Sequence, residues 1–367
     1  MGEQRDFLTG SKTHSFLCIR ALETILDASK QHFLEAPNYE YLKMAPADLT
    51  KHSAKPNATR EGKGTYQVNG EDVAISVPSK VSQPQDVIMK EAEELPSRPR
   101  NKVGNWKIGK RIGEGYSSQV YLGENLKNGC AGAIKVVDIQ RLSRQHNDTL
   151  PTQQVVKRLY EEALIMSEVS HKNIVSVYEA FVSKERFYIC MEYIVGSMVL
   201  DLIPRQGMSE RKARTILWQL LEAIEHLHSL DLVHGDVKVE NIIVDPSTGH
   251  TTLVDLGFAR RVKTGEEVKA IGWTRLYAPP EGFRTGRISK AWDIWTCGVV
   301  FYALLTGFFP FDERKVDWTT SEVPEIVIPS HLSHECVDVI LRMLRIRPEQ
   351  RVTATQAKSL PFFHLAL

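Results

Sequence analysis

The chain has 367 residues, 42% hydrophobic and 25% charged, which excludes collagen-like, wholly disordered and disulfide-scaffold proteins. Its 46 Lys and Arg against 45 Asp and Glu leave a formal charge of +1, so bulk electrostatics point neither to nucleic acid nor to an anionic membrane surface. The five cysteines, Cys18, Cys130, Cys190, Cys297 and Cys336, form no C-x-x-C pair. They read as reduced thiols of an intracellular chain, cytoplasmic or nuclear.

The opening MGEQRDFLTG is too polar for a secretory signal, and Asp6 stands where a myristoylation motif requires Ser or Thr. Phe16, Ile19, Leu22, Ile25 and Leu26 recur at helical spacing and predict an amphipathic helix over about 13–36, before Pro37. Such a helix fits docking, onto a partner or onto the main domain, or a lone helix on an arm. From about Ala45 to Arg100 the chain is rich in Lys, Ser, Pro, Glu and Asn. That composition buries too little apolar surface to offset the entropy of ordering, so the linker is expected to be mostly disordered. Residues 1–105 therefore stand apart as an extension.

From Trp106 onward short β-type runs follow one another, WKIGKRI, QVYLGEN, GAIKVVDI, VSVYEAF and RFYICMEY, interrupted by the helix-period VVKRLYEEALIMSEV. After Tyr193 the chain turns mainly helical. Ser209 is placed to cap a helix whose apolar face is Ala213, Ile216, Leu217, Leu220, Ile224 and Leu227. This order predicts an α+β domain over 106–365, with a small lobe at 106–192, a larger helical lobe at 195–365 and a cleft between them. The uncharged run Trp295–Phe311 contains Gly298, Gly307 and Pro310 and is bracketed by Asp293 and Asp312. It reads as a buried core helix followed by a turn and not as a membrane span.

Gly113-Glu114-Gly115-Tyr116-Ser117-Ser118-Gln119-Val120 fits G-x-G-x-x-[GS]-x-V between two predicted strands. Glycines there let backbone N–H groups approach a polyphosphate without side-chain clash. A strand follows them, so the dinucleotide-binding alternative, which needs a helix at once, fails. Lys135 ends Ala133-Ile134-Lys135 in an apolar strand, and an ammonium buried there needs an anion. A phosphate would serve, as would a helix carboxylate; Glu162 is the natural partner and Glu161 the competitor.

His234-Gly235-Asp236-Val237-Lys238-Val239-Glu240-Asn241 is followed by Asp255-Leu256-Gly257. Moving a phosphoryl group from a magnesium nucleotide to a hydroxyl needs a carboxylate to orient and deprotonate the hydroxyl. It also needs a cation to steady the phosphate and oxygen ligands to hold the metal. Asp236, Lys238 and the pair Asn241 and Asp255 supply these in order.

Together these segments resemble the eukaryotic protein kinase family, in its order, from about Trp106 to His364. Pro279-Pro280-Glu281 stands where A-P-E is usual, Asp293-Ile294-Trp295 with Gly298 matches the buried helix that anchors the catalytic loop, and Arg351 matches the partner of Glu281. The resemblance implies a bilobal kinase fold using ATP and Mg2+. Nucleotide-binding positions would be Ile112, Gly113, Gly115 and Ser118 of the loop, with Val120, Ala133 and Ile243 on the adenine faces. Lys135 would meet the phosphates, with Glu162 as its helix partner, while Glu192 and Ile194 would offer backbone groups to the adenine edge beside Met191. Asp236 and Lys238 would act on the substrate, Thr274 would bond to both as part of the catalytic set, and Asn241 and Asp255 would hold the metal.

Lys238, two residues after Asp236, and Thr274 are the pattern of serine/threonine kinases, so protein Ser/Thr hydroxyls are the implied acceptors. The stretch Trp273–Glu281 looks most like that of Pim-type and calmodulin-kinase-group enzymes. Gly235 departs from the family by replacing the arginine that usually receives an activation-segment phosphate, which predicts activity without that phosphate. Ser118 replaces the third glycine. These two departures are the basis of the rival reading, a pseudokinase scaffold acting through its N-terminal arm.

Overall fold

The computed structural model describes residues 63–68, 71–76, 102–114, 118–143, 152–183, 185–311, 316–318 and 325–365. The helix expected over 13–36 and Gly115 of the glycine loop lie outside them. In chain order come β1 (Lys63–Val68), β2 (Glu71–Ser76), β3 (Lys102–Val103), β4 (Trp106–Glu114), β5 (Ser118–Asn125) and β6 (Ala131–Asp138). Helices α1 (Ile139–Ser143) and α2 (Thr152–Glu168) precede β7 (Val177–Ser183), β8 (Arg186–Glu192) and β9 (Ser197–Met198). Then follow α3 (Val199–Leu202), α4 (Glu210–Ser229), β10 (Leu232–Val233), β11 (Ile242–Val244), β12 (Thr251–Leu253), β13 (Arg260–Arg261) and β14 (Val268–Lys269). The last elements are α5 (Pro280–Thr285), β15 (Arg287–Ile288), α6 (Lys290–Thr306), α7 (His334–Met343) and α8 (Ala354–Lys358).

Two compact units result, an α+β organisation. One holds the described residues up to Val199 with Glu240–Ala259; the other holds Leu200–Val239 and the described residues from Arg260 onward. Residues 240–259 fall in the stretch expected to be the helical lobe, yet they cluster with the β-rich unit. The cause is strand pairing: β11 pairs with β9 through Ile243 and Met198 and with β12, and Ile174 bridges to Leu253.

In the β-rich unit a six-stranded antiparallel sheet runs in the order β3-β4-β5-β6-β8-β7, and α2 packs against β7 and β8. Central strand β6 is buried from Gly132 to Val137. Its near-continuous apolar composition follows from cover on both faces. Trp106 is fully buried and stacks on Tyr178 with ring centroids 6.0 Å apart. Within the stretch expected to be mostly disordered, β1 and β2 form a hairpin in register from Lys63 with Ser76 to Val68 with Glu71. The sequence signal is local: Tyr66, Val68, Val73 and Ile75 alternate with other residues around Asn69-Gly70, a pair favoured in two-residue hairpin turns. Averaged over 45–100, composition hides it.

In the helical unit the apolar face predicted for α4 is buried at Ala213, Ile216, Leu217, Leu220, Ile224 and Leu227. Ser209 takes the extended N-cap backbone, but its side chain makes no capping bond. Helix α4 packs on α6 and α8. The uncharged run is the body of α6, buried from Trp292 to Thr306; surrounded by protein on every side, it carries no polar face. Gly307 ends it at φ 77°, a left-handed turn in which its N–H reaches the Ala303 carbonyl. Among the described residues no helix is long and apolar enough to cross a membrane. Burial pushes the thiols of Cys190, Cys297 and Cys336 up, so they stay protonated packing groups.

Arg351 joins α5 to the C-terminal part of this unit. Its Nη1 and Nη2 donate to Glu281 Oε1 and Oε2 at 2.6 and 2.7 Å, a bidentate pair. Its other donors reach the carbonyls of Arg345, Ile346 and Ala291, and the guanidinium lies 4.9 Å from the Trp295 ring centroid. Arg351→Ala leaves the Glu281 carboxylate unpaired in a largely buried place. A loss of about 3–5 kcal/mol is expected, read as a lowered midpoint in denaturant unfolding of that unit.

Candidate active site

In the β-rich unit, β6 carries Lys135 into the interior with 1% of its surface exposed. Its Nζ lies 3.1 Å from Glu162 Oε1 and 3.1 Å from Asp255 Oδ1. Helix rotation decides between the two candidate glutamates: Glu162 is buried and Glu161 exposed. Burial pushes the Glu162 carboxyl above the usual carboxylate range, the Lys135 ammonium pulls it down, and the neighbouring Asp255 charge pushes it up again. One buried cation thus sits between two carboxylates.

Asp255 has a left-handed backbone, φ 64°, uncommon for a non-glycine residue but tolerated by aspartate, and its Oδ1 also accepts the Gly257 N–H at 3.2 Å. Asn241 is fully buried, and its carbonyl accepts the Val254 N–H at 2.9 Å, which sets Asn241 beside the residue preceding Asp255. An amide oxygen and a carboxylate are hard donors. They suit Mg2+, which keeps waters and substrate phosphates as its other ligands. Among the described residues no group of three or more His, Cys, Asp or Glu is placed to hold a metal ion.

The other described residues expected to line a nucleotide site fall in the same unit. Gly113 pairs with Val120 across β4 and β5 after a register shift, so the strands bend where the glycine loop begins. Ser118, Val120, Ala133 and Ile243 are buried, while Ile112, Glu192 and Ile194 are half-buried. Ala133 pairs with Met191, and the Glu192 N–H is held by the Ser176 carbonyl at 2.8 Å.

In the helical unit, Thr274 Oγ1 donates to Asp236 Oδ1 at 2.6 Å and accepts from Lys238 Nζ at 3.1 Å, while Lys238 Nζ lies 2.7 Å from Asp236 Oδ2. Carboxylate, hydroxyl and ammonium close a ring, with Asp236 and Lys238 both buried. Asp293, fully buried at the start of α6, holds the backbone beneath it by accepting the His234 N–H at 2.8 Å and the Gly235 N–H at 2.9 Å. The Asp236 N–H donates to His234 Nδ1 at 3.2 Å. Gly235 sits at φ 81°, where any side chain would be strained, so glycine relieves the backbone as it removes the cation.

Two contributors were missed in the sequence reading. His228 Nε2 lies 2.9 Å from Asp293 Oδ2, so helix α4, which precedes the Asp236 segment, also bears on the anchoring carboxylate. Tyr277 Oη accepts the Val239 N–H at 3.4 Å and ties the segment after Thr274 to the one after Asp236. Chain separation conceals both, since neither belongs to a local motif.

The protein kinase domain family matches residues 106–363. A CBL-interacting serine/threonine-protein kinase 8 of Arabidopsis thaliana is 32% identical over 267 residues, 71% of this chain and 58% of that protein. Serine/threonine-protein kinase SIK2 of Gallus gallus is 32% identical over 281 residues, 74% of this chain and 34% of that protein. A probable serine/threonine-protein kinase HSL1 of Saccharomyces cerevisiae is 28% identical over 348 residues, 85% of this chain and 23% of that protein. The chain thus spans between 23% and 58% of the length of these curated relatives. With its motifs in family order and a family match over most of its length, the chain belongs to the protein kinase domain family.

Proposed function

We propose that the protein is a serine/threonine protein kinase that transfers the γ-phosphoryl group of ATP to Ser or Thr hydroxyls of protein substrates. The observation that carries this reading is the closed ring of Asp236, Thr274 and Lys238, which holds a carboxylate and an ammonium ready beside a hydroxyl. The Ser/Thr names of the relatives support the acceptor class.

Asp236 orients the substrate hydroxyl and takes its proton as the new O–P bond forms. The bond from the γ-phosphorus to the bridging oxygen breaks, and ADP leaves with that electron pair. Lys238 steadies the charge on the moving phosphoryl group, and Thr274 keeps Asp236 and Lys238 in register. Lys135, oriented by Glu162, meets the nucleotide phosphates. Ile112, Gly113, Gly115, Ser118, Val120, Ala133 and Ile243 surround the nucleotide, with backbone groups of Glu192 and Ile194 on the adenine edge. Asn241 and Asp255 would hold Mg2+, which would offset phosphate charge.

Activity does not require a phosphate on the activation segment, because Gly235 offers no cation to receive one. Phosphatase-treated enzyme is therefore expected to keep its kcat/KM for peptide, whereas a collapse on dephosphorylation would sink this part.

With labelled ATP, Mg2+ and a degenerate Ser/Thr peptide library, Asp236→Asn is expected to lower turnover by about 10²–10⁴-fold with ATP affinity retained. Label transfer that persists unchanged in the variant would overturn the role of Asp236, and absence of transfer in both proteins would favour the scaffold reading. Thr274→Ser should keep most of the turnover and Thr274→Val should lose it, since only the hydroxyl bridges Asp236 and Lys238.

A further inference from the structure

The stretch from Val262 to Thr274 is tied to the helical unit at several points. The Val262 N–H donates to the Asp231 carbonyl at 2.7 Å, at the end where the paired strands β10 and β13 finish. Lys290, at the start of α6, donates to the Thr264 hydroxyl at 2.8 Å and to Asp231 Oδ1 at 2.7 Å. Strand β14 then pairs with β15, Val268 opposite Ile288 and Lys269 opposite Arg287, and the Ala270 N–H extends the ladder to the Gly286 carbonyl at 2.9 Å.

Side chains reinforce the ladder. Val268, Ala270, Trp273 and Phe283 pack on a buried cluster of Val233, Val262, Ala278, Ile288 and Trp292. Trp273 meets Trp292 edge-on with ring centroids 5.9 Å apart, and the next residue is Thr274, whose hydroxyl lies 2.6 Å from Asp236 Oδ1. The ion pair of Arg287 with Glu267, 3.5 Å apart with both side chains about half exposed, is too well solvated to hold the segment. The ladder and the cluster bear the load.

We infer that the β14–β15 ladder and the Trp273 cluster form a latch that positions the activation segment, and through it Thr274, in place of a phosphate. The latch rests on the proposed kinase reading for its consequence but not for its existence. Backbone pairing uses groups that every residue carries, so it needs neither the missing arginine at Gly235 nor a modifying enzyme. Residues of the latch are positioning residues, acting on the substrate hydroxyl only through Thr274.

Hydrogen–deuterium exchange on the full chain, stripped by phosphatase and checked by mass spectrometry, tests the latch directly. The Ala270 amide is expected to exchange at least ~10-fold more slowly than the amides of the exposed turn at Thr264–Gly265. Ala270→Pro deletes that donor. It should speed exchange at Val268 and raise the KM for peptide ~10-fold, with the KM for ATP within ~2-fold, a split that general loss of stability would not give. Glu267→Ala, which removes the ion pair and keeps the bond from the Arg287 side chain to the backbone carbonyl of residue 267, should leave both constants within ~2-fold. Rapid Ala270 exchange in the stripped wild type, or protection that arises only after phosphorylation, would overturn the latch even if Ala270→Pro fails to fold. So would a freed segment with unchanged peptide KM. Protection without any label transfer would support the latch and count against the kinase reading.

Discussion

A lysine ammonium does not stay charged inside a protein unless anions surround it. Burying Lys135 on β6 therefore constrains everything near it: α2 must turn Glu162 inward, and the chain after β12 must bring Asp255 to the same nitrogen. Pairing of β11 with β9 and β12 holds residues 240–259 in the β-rich unit and so brings Asp255 within reach of that nitrogen. The left-handed backbone at Asp255 is one local consequence.

The helical unit solves a similar problem with the roles reversed. There a buried carboxylate, Asp293, is satisfied by backbone N–H groups and an imidazole, and it fixes the segment that presents Asp236. Such a carboxylate acts as a structural ligand for a loop that has no regular hydrogen bonding of its own. Helix α6 can carry it because the rest of that helix is apolar on every side and packed in the core. Arg351 and Glu281 add a second buried polar junction, which reaches the same helix start through the Ala291 carbonyl.

Legibility in the sequence followed the range over which the physics acts. That His234–Asn241 and Asp255–Gly257 each carry polar side chains into buried places was legible because their residue types recur at short spacing. Helix α6 was legible from its uncharged length, and α4 from the period of its buried face. The choice of Glu162 over Glu161 needed the rotation of α2, which no spacing rule supplies. His228 and Tyr277 act across the fold and leave no local mark. Strands β14 and β15 have two residues each, too few for alternation to register, and only their pairing gives them meaning. The hairpin of β1 and β2 was hidden for the opposite reason, a clear local pattern averaged away by a polar neighbourhood.

The central claim is that the Lys135, Glu162 and Asp255 group, with Asn241, is built to hold a magnesium-bound nucleotide. Calorimetric titration of ATP into the full chain, with and without Mg2+, measures it most directly, alongside Lys135→Met and Asp255→Asn. Asparagine tolerates the left-handed backbone of position 255, so the second variant removes charge without distorting the chain. Binding that depends on Mg2+ in the wild type and weakens in both variants is the expected result. ATP affinity indifferent to Mg2+ and unchanged in Asp255→Asn would contradict the account.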